Sequence, residues 1–213
     1  KQPIIGNATI KQGQGMVVQD VHGNQMMVAA DGVPAGTEVS IQQIALDKVG
    51  MPLPAQRKLS SLAAFELNLS GAVSKLPLQL AVHVGKQAIH PQTGQKIDLK
   101  AGDEVMFWHK GQIMDDKGIV RDTWWLMDNG YVDEYGIART ASPPYMGFSR
   151  GGTVVVTANV TTEDKDTGEV KIKGLQLNVV AAVSSAADLI SMSLSGARMM
   201  SSASKVARSA LSN

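Results

Sequence analysis

Residues 76–84 read Leu-Pro-Leu-Gln-Leu-Ala-Val-His-Val, the cleanest period-two run in the chain. Leu76, Leu78, Leu80, Val82 and Val84 fall on one side of an extended strand and the intervening residues on the other. A helix would scatter these five around its circumference, so the run predicts a half-buried β-strand with one face in a core. Outward from it the same grammar repeats. Residues 62–69 alternate with Phe65, Leu67 and Leu69 on one face, residues 104–110 with Val105, Phe107 and His109, and residues 153–160 form a β-branched run. Toward the N-terminus, short strands are expected at 4–12, 16–21, 26–30 and 37–46, separated by Gly13, Gly15, His22-Gly23-Asn24 and the double turn 31–36. Residues 47–61, with Pro52 and Pro54, and residues 85–100, with Pro91 and Gly94, read as loops. Short strands between glycine-rich turns predict an all-β chain, a β-sandwich.

Residues 111–122 read as a hairpin around Asp115-Asp116-Lys117-Gly118, and 124–127 as a strand stopped by Asp128-Asn129-Gly130. After Tyr131–Glu134 and a strand at 137–140, Ser142-Pro143-Pro144-Tyr145 makes a corner no central strand could contain. Residues 169–183 return as a strand whose parity switches at Gly174, the mark of a β-bulge. Beyond Ser184 the turns vanish, and Ala, Ser and Met recur at helical spacing. Two parts are therefore expected: a sandwich domain over 1–183 and a small-residue helical or flexible C-terminal appendage over 184–213. Lys1 in place of Met and an end in a Ser/Ala stretch suggest a piece of a longer polypeptide.

Bulk composition narrows the function. The 213 residues are 44% hydrophobic and 18% charged, with a net charge of +1. A core is affordable, and a dispersed near-neutral charge gives no stripe for nucleic acid. Cysteine is absent, which removes disulfides, thiol chemistry and cysteine zinc sites. No run of about 18 apolar residues spans a membrane. No paired-carboxylate, Ser/His/Asp, phosphate-loop or dinucleotide pattern occurs, so neither an enzyme nor an organic cofactor is expected. His22, His83, His90 and His109 are scattered; only His83 and His109, both in strands, could be cross-strand neighbours, and two ligands do not make a zinc site.

Two site candidates remain. Adjacent Trp124 and Trp125 point to opposite faces of a strand, so one enters the core and the other lies at the surface or under the proline corner. Exposed, Trp125 with Tyr131 and Tyr145 would offer a stacking platform for a sugar ring or a partner protein; core and corner packing is the commoner use of such rings. The acids Asp128, Asp133 and Glu134, and separately Asp164 and Asp166 in an acidic turn, suggest calcium, although neither group has the spacing of an EF-hand loop. A solvated hairpin tip accounts for the second group as well.

Residues 26–41 (MMVAADGVPAGTEVSI) resemble the core of ZU5-type domains: an apolar strand, a Pro-x-Gly-Ala element, a Val/Leu-Pro-x-Gly-Thr turn, then an alternating strand. Ala30 and Gly32-Val33 depart from that pattern. The downstream order, Ala64-Phe65-Glu66-Leu67, Pro77-Leu78-Gln79-Leu80, Gly102-Asp103-Glu104-Val105, a Trp-rich strand and a Ser-Pro-Pro corner, is similar too. The likeness covers roughly residues 10–160 and extends to the Ig-like β-sandwich modules of large bacterial surface proteins and RHS-type secreted proteins. It implies a non-enzymatic structural or interaction module, extracellular or at the bacterial cell surface, serving adhesion, filament or envelope assembly. Partners would be another protein or a second copy, met through sheet edges and the C-terminal segment. A carbohydrate-binding module and an accessory domain of a secreted toxin are the alternatives. A self-cleaving module found beside some ZU5 domains breaks before the Ser of His-Phe-Ser. Here Gly147-Phe148-Ser149 lacks the histidine base, and a serine without a base is a poor nucleophile.

Overall fold

In the computed structural model, Leu78, Leu80, Val82 and Val84 are buried as the alternation requires, and the strand carrying them sits in the middle of one long sheet. Residues 2–54 and 58–161 are described, together with the backbone of strands at 171–172 and 182–183. The strands are β1 (Ile4–Ile5), β2 (Ala8–Thr9), β3 (Met16–Gln19), β4 (Gln25–Val28), β5 (Glu38–Ile44), β6 (Leu59–Asn68), β7 (Val73–His83), β8 (Gln87–Ile89), β9 (Lys96–Asp98), β10 (Glu104–Met114), β11 (Val120–Val132), β12 (Ile137–Thr140), β13 (Phe148–Arg150), β14 (Gly152–Thr161), β15 (Lys171–Ile172) and β16 (Ala182–Val183). One 3-10 turn, Leu46–Lys48, follows β5. The chain is all-β.

The main sheet runs β1-β3-β4-β7-β12-β11-β10-β14-β6-β5-β2, and its two ends are consecutive in the chain. Ile4–Ile5 pair in parallel with Val18–Gln19, while Ala8–Thr9 pair with Val39 and Glu38. A single N-terminal strand, bent at Gly6 with φ 85°, thus lends half of itself to each edge. Only a residue without a Cβ adopts that backbone cheaply. The sheet is nearly closed, its inner faces meet across one core, and β8–β9 forms a separate hairpin that buries Ala88 and Ile97 in that core. The first expected strand, 4–12, is therefore two half-strands.

Closure is reinforced at the β3–β4 corner. The buried Asp20 carboxylate accepts from the amides of His22 (2.8 Å), Asn24 (2.9 Å) and Gln43 (3.0 Å) and from the Asn24 side chain (2.8 Å). Asn24 Oδ1 in turn accepts the His83 amide at 2.7 Å, so one side chain pair ties β3–β4 to β5 and β7. Burial alone would raise the Asp20 pKa, but these donors hold it below the usual carboxylate value.

Several expectations need correction. Leu76 lies 49% exposed, because the strand is irregular around Pro77, which has no amide to donate; Ser74 is buried in its place and its hydroxyl donates to the Leu76 carbonyl at 2.6 Å. Residues 85–100 contain the β8–β9 hairpin instead of a plain loop. Asp128-Asn129-Gly130 is not a turn: β11 runs through it, with a bulge opposite Phe107/Trp108, and the reversal comes at Asp133–Gly136. Gly130 serves close approach, since a Cβ there would sit 2.2 Å from the Arg139 carbonyl oxygen. The appendage expected over 184–213 lies outside the described residues, as do most of 162–183 and hence the Gly174 bulge and the proposed domain boundary.

Removing the Asp20 carboxylate strands several buried donors, so Asp20→Ala should cost about 3 kcal/mol in urea unfolding. Because the folded pKa is depressed, its stabilisation is present above the unfolded value near ~3.9 and fades as pH falls through the folded one. The difference between wild type and variant should therefore shrink in acid.

Candidate functional site

The aromatic stretch is split by the sheet it belongs to. Trp124 joins Met106, Trp108, Leu126 and Val155 in a second cluster on the outer side, where Leu46, Met51 and Leu53 cover them. Its indole N–H donates to the Pro52 carbonyl at 2.7 Å and so pins that loop. Trp125 points the other way, half-buried, with its ring across Gly111: a Cβ there would lie 2.6 Å from Trp125 Cδ1. Trp125 pairs with His109 and Tyr131 with Glu104, five residues apart on β10 and hence on opposite faces. Tyr145 is half-buried against the outer cluster, on Tyr131's side. Burial first, then the nearby Glu104 and Asp128 carboxylates, raises its phenol pKa. Tyr131 and Tyr145 thus share a face and Trp125 does not, so the three rings form no single platform. Phe148 is core, edge-on to Phe107 at 6.3 Å.

The acids do not converge either. Asp128 lies opposite Phe107, fully buried, and neither carboxylate oxygen has a hydrogen-bond partner. Burial pushes its pKa up; the nearby Ser142 hydroxyl and the Asn129, Ala141 and Ser142 amides pull it the other way without reaching bonding geometry. Asp133 is occupied locally: Oδ1 accepts the Tyr135 and Ile137 amides at 2.9 and 3.0 Å, and Oδ2 stands 3.6 Å from Arg139 Nη2. Glu134 is exposed in the same turn. Five residues of strand, roughly 16 Å, separate Asp128 from Asp133. Asp164 and Asp166 lie outside the described residues. Among the described residues no three His, Cys, Asp or Glu side chains come together as a metal site.

The histidines are equally dispersed. His83 pairs with Ile137 and His109 with Trp125 and Val154, so they are not cross-strand neighbours. His90 Nδ1 accepts turn amides of Gln92 and Thr93. His109 Nε2 lies 3.0 Å from the Gly151 carbonyl, and burial lowers its pKa. At Gly147 the backbone is left-handed, φ 70°, and a Cβ would meet Pro77 at 2.7 Å. A histidine there has no room, which explains why the Gly-Phe-Ser sequence lacks its base.

Two further features carry no site motif in the sequence. The outer face of β3, β4, β7 and β12 holds a concavity of about 250 Å³, floored by Val17, Met27 and Ala81 and rimmed by Gln79 and Arg139. That is just under the ~300 Å³ at which small-molecule pockets begin. The signal was Met26-Met27-Val28, a strand apolar on both sides. Second, β10 and β11 outrun their neighbours: β14 pairs only with residues 105–109 and β16 only with Trp124 and Trp125, so the ribbon 112–114/120–122 projects. Its tip exposes Met114 (66%), Ile119 (50%) and Val120 (53%). Asp115 holds the turn, accepting the Lys117 and Ile119 amides at 3.0 and 2.8 Å and Arg121 Nε at 2.9 Å. Those donors, the Ile119 amide foremost, depress its pKa.

No family model matches the sequence, and no curated protein matches it. Among the described residues no helix is long and apolar enough to cross a membrane.

Two substitutions probe this arrangement. Asp128 has a raised folded pKa, so its native-state benefit is complete only below the unfolded value and is lost as pH rises through the folded one. Asp128→Asn should melt higher than wild type at neutral pH, the gap closing as pH falls through the folded pKa and the carboxyl takes up its proton. Gly111→Ala should displace the Trp125 ring, shifting tryptophan emission and costing about 2 kcal/mol in denaturant titration.

Proposed function

We propose that this chain is a non-enzymatic structural and interaction module of a bacterial extracellular surface or filament protein, acting in adhesion or assembly. The supporting observation is the projecting β10–β11 ribbon, whose three exposed apolar side chains sit on a turn held by Asp115. A tip ordered before contact loses little conformational entropy on binding. Exposed apolar groups held in one place mark contact surfaces. The main sheet spends its two end strands on closure, and among the described residues the ribbon leaves an unpaired strand edge of β10 along residues 112–114, open to a protein partner. The extracellular bacterial setting follows from the resemblance to surface-protein modules. A carbohydrate reading would rest on Tyr131 and Tyr145 alone, with Trp125 on the opposite face. A calcium-dependent reading would require Asp128 to leave its buried position.

The test is surface display of the full chain on a non-adherent bacterium, beside a variant in which residues 113–121 are replaced by an Asn-Gly hairpin turn. Cells carrying the intact chain should clump or adhere to protein-coated surfaces several-fold more than those with the shortened ribbon, with equal display and equal Tm of the purified proteins. Equal adhesion by the two, or none by either, overturns the proposal.

A further inference from the structure

From the geometry of the ribbon tip and the outer groove we infer that the occupant of the groove is the β10–β11 tip of a second copy of this chain, joined head to tail. This rests on the reading of the chain as an interaction module and specifies its partner. The groove floor of Val17, Met27 and Ala81 is apolar, and Met27 stands 50% exposed although no described element covers it. The tip offers the complementary surface: Met114 and Val120 are a cross-strand pair facing the same way, and Ile119 adjoins them. The groove is too small for a typical organic ligand but wide enough for side chains of this kind.

Charge agrees with this pairing. Arg139, on the groove rim, keeps its guanidinium exposed and only 3.6 Å from an Asp133 carboxylate that is already occupied by backbone amides. At the tip, Asp115 is committed to Arg121, while exposed Asp116 has no hydrogen bond or ion pair among the described residues. Seating the tip brings Asp116 toward Arg139, and Gln79 lies on the same rim to meet further polar groups.

The tip cannot reach its own groove. Arg139 stands opposite Tyr131, and Val120 lies eleven residues before Tyr131 along the same strand, roughly 36 Å at 3.3 Å per residue. The contact is therefore between molecules, and it joins two different patches. Such a heterologous contact leaves a free tip at one end and a free groove at the other, so it propagates into an open fibre or closes as a ring.

Sedimentation velocity of the full chain from micromolar to near-millimolar concentration tests this. Wild type should grow past dimer as concentration rises. Ile119→Asp, which spoils the tip, and Met27→Asp, which spoils the groove, should each stay monomeric alone, since each weakens association by about tenfold or more. Mixed, the two should form a 1:1 heterodimer that grows no further, because each supplies the patch the other lacks. Both side chains face solvent, so circular dichroism melts should match wild type. If either variant misfolds, the charge exchange replaces it: Arg139→Glu and Asp116→Lys should each weaken association, and their mixture should recover it. A wild-type chain that remains monomeric, an oligomer that none of these substitutions alters, or a mixture that fails to pair overturns the inference. Monomers in solution combined with adhesion of displayed cells to protein-coated surfaces would remove the self-partner while leaving the interaction-module reading in place.

Discussion

Closure by one bent strand is the constraint on which the rest depends. A twisted sheet with two open edges exposes two rows of unpaired amides and carbonyls, a template for uncontrolled pairing. Here Gly6 lets residues 4–9 change allegiance from β3 to β5 within two residues, and both edges are covered by the same short segment. Two-residue pairings are weak, so the joint needs support. The Gly6 amide donates to the Gln19 carbonyl at 2.8 Å, and the Ile10 amide to Thr37 at 2.9 Å, extending the half-strands. Asp20 supplies the stronger tie between β3 and β5. Its carboxylate, an acceptor on every side, is suited to a corner where three backbone amides and one side-chain amide converge.

With the inside sealed, the outward positions become available for other work. On β10, β11, β14 and β6 they form a second apolar layer, roofed by the chain around the Leu46–Lys48 turn and by Pro52–Pro54, and Trp108 buries its N–H on Thr157 at 2.9 Å. Of the aromatics in residues 124–148, Trp124 and Tyr145 join this layer, and Trp124 fastens its loop to the sheet. On β3, β4 and β7 the outward positions carry no such roof among the described residues, and the groove is what an unroofed patch of the same sheet looks like. The difference lies in the connections: a long proline-bearing link follows β5, whereas β3 and β4 are joined by a tight turn with no chain to spare.

Much of this was legible in the residues. Alternation located β7, β6 and β10, β-branched composition located β14, and the Asp115–Gly118 turn fell where its composition placed it. The division of Trp124 from Trp125 between faces also follows from strand geometry alone. What could not be read was register. The bulge opposite Phe107/Trp108 inserts one residue into β11, so counting along the chain would put Trp125 and Tyr131 on opposite parity from the arrangement found. The same extra residue carries Asp128 to the core side. Asp128-Asn129-Gly130 has the composition of a hairpin turn, but the Asn129 side-chain Nδ2 donates to Glu104 at 2.6 Å and the bare Gly130 admits the Arg139 carbonyl, so flanking pairings override the local preference. The groove was hidden for a similar reason: its residues come from β3, β4, β7 and β12, and only strand order brings them together.

Asp20 and Asp128 make the lesson about buried acids concrete. Both are buried carboxylates, each on or next to a strand of the same sheet, yet one is held below the usual pKa and the other above it. Burial pushes both upward. The difference is the orientation of nearby amides: around Asp20 the turn aims three N–H groups at the oxygens and Gln43 of β5 adds a fourth, while beside Asp128 the Ala141 amide is spent on the Asn129 carbonyl at 2.9 Å. A strand interior consumes its amides in the ladder, whereas a turn leaves them free to point at a side chain. An acid at a tight corner can therefore secure the fold, and the same acid two or three residues inside a strand is a cost the core must absorb. This is why the closure of the sheet is built at a turn.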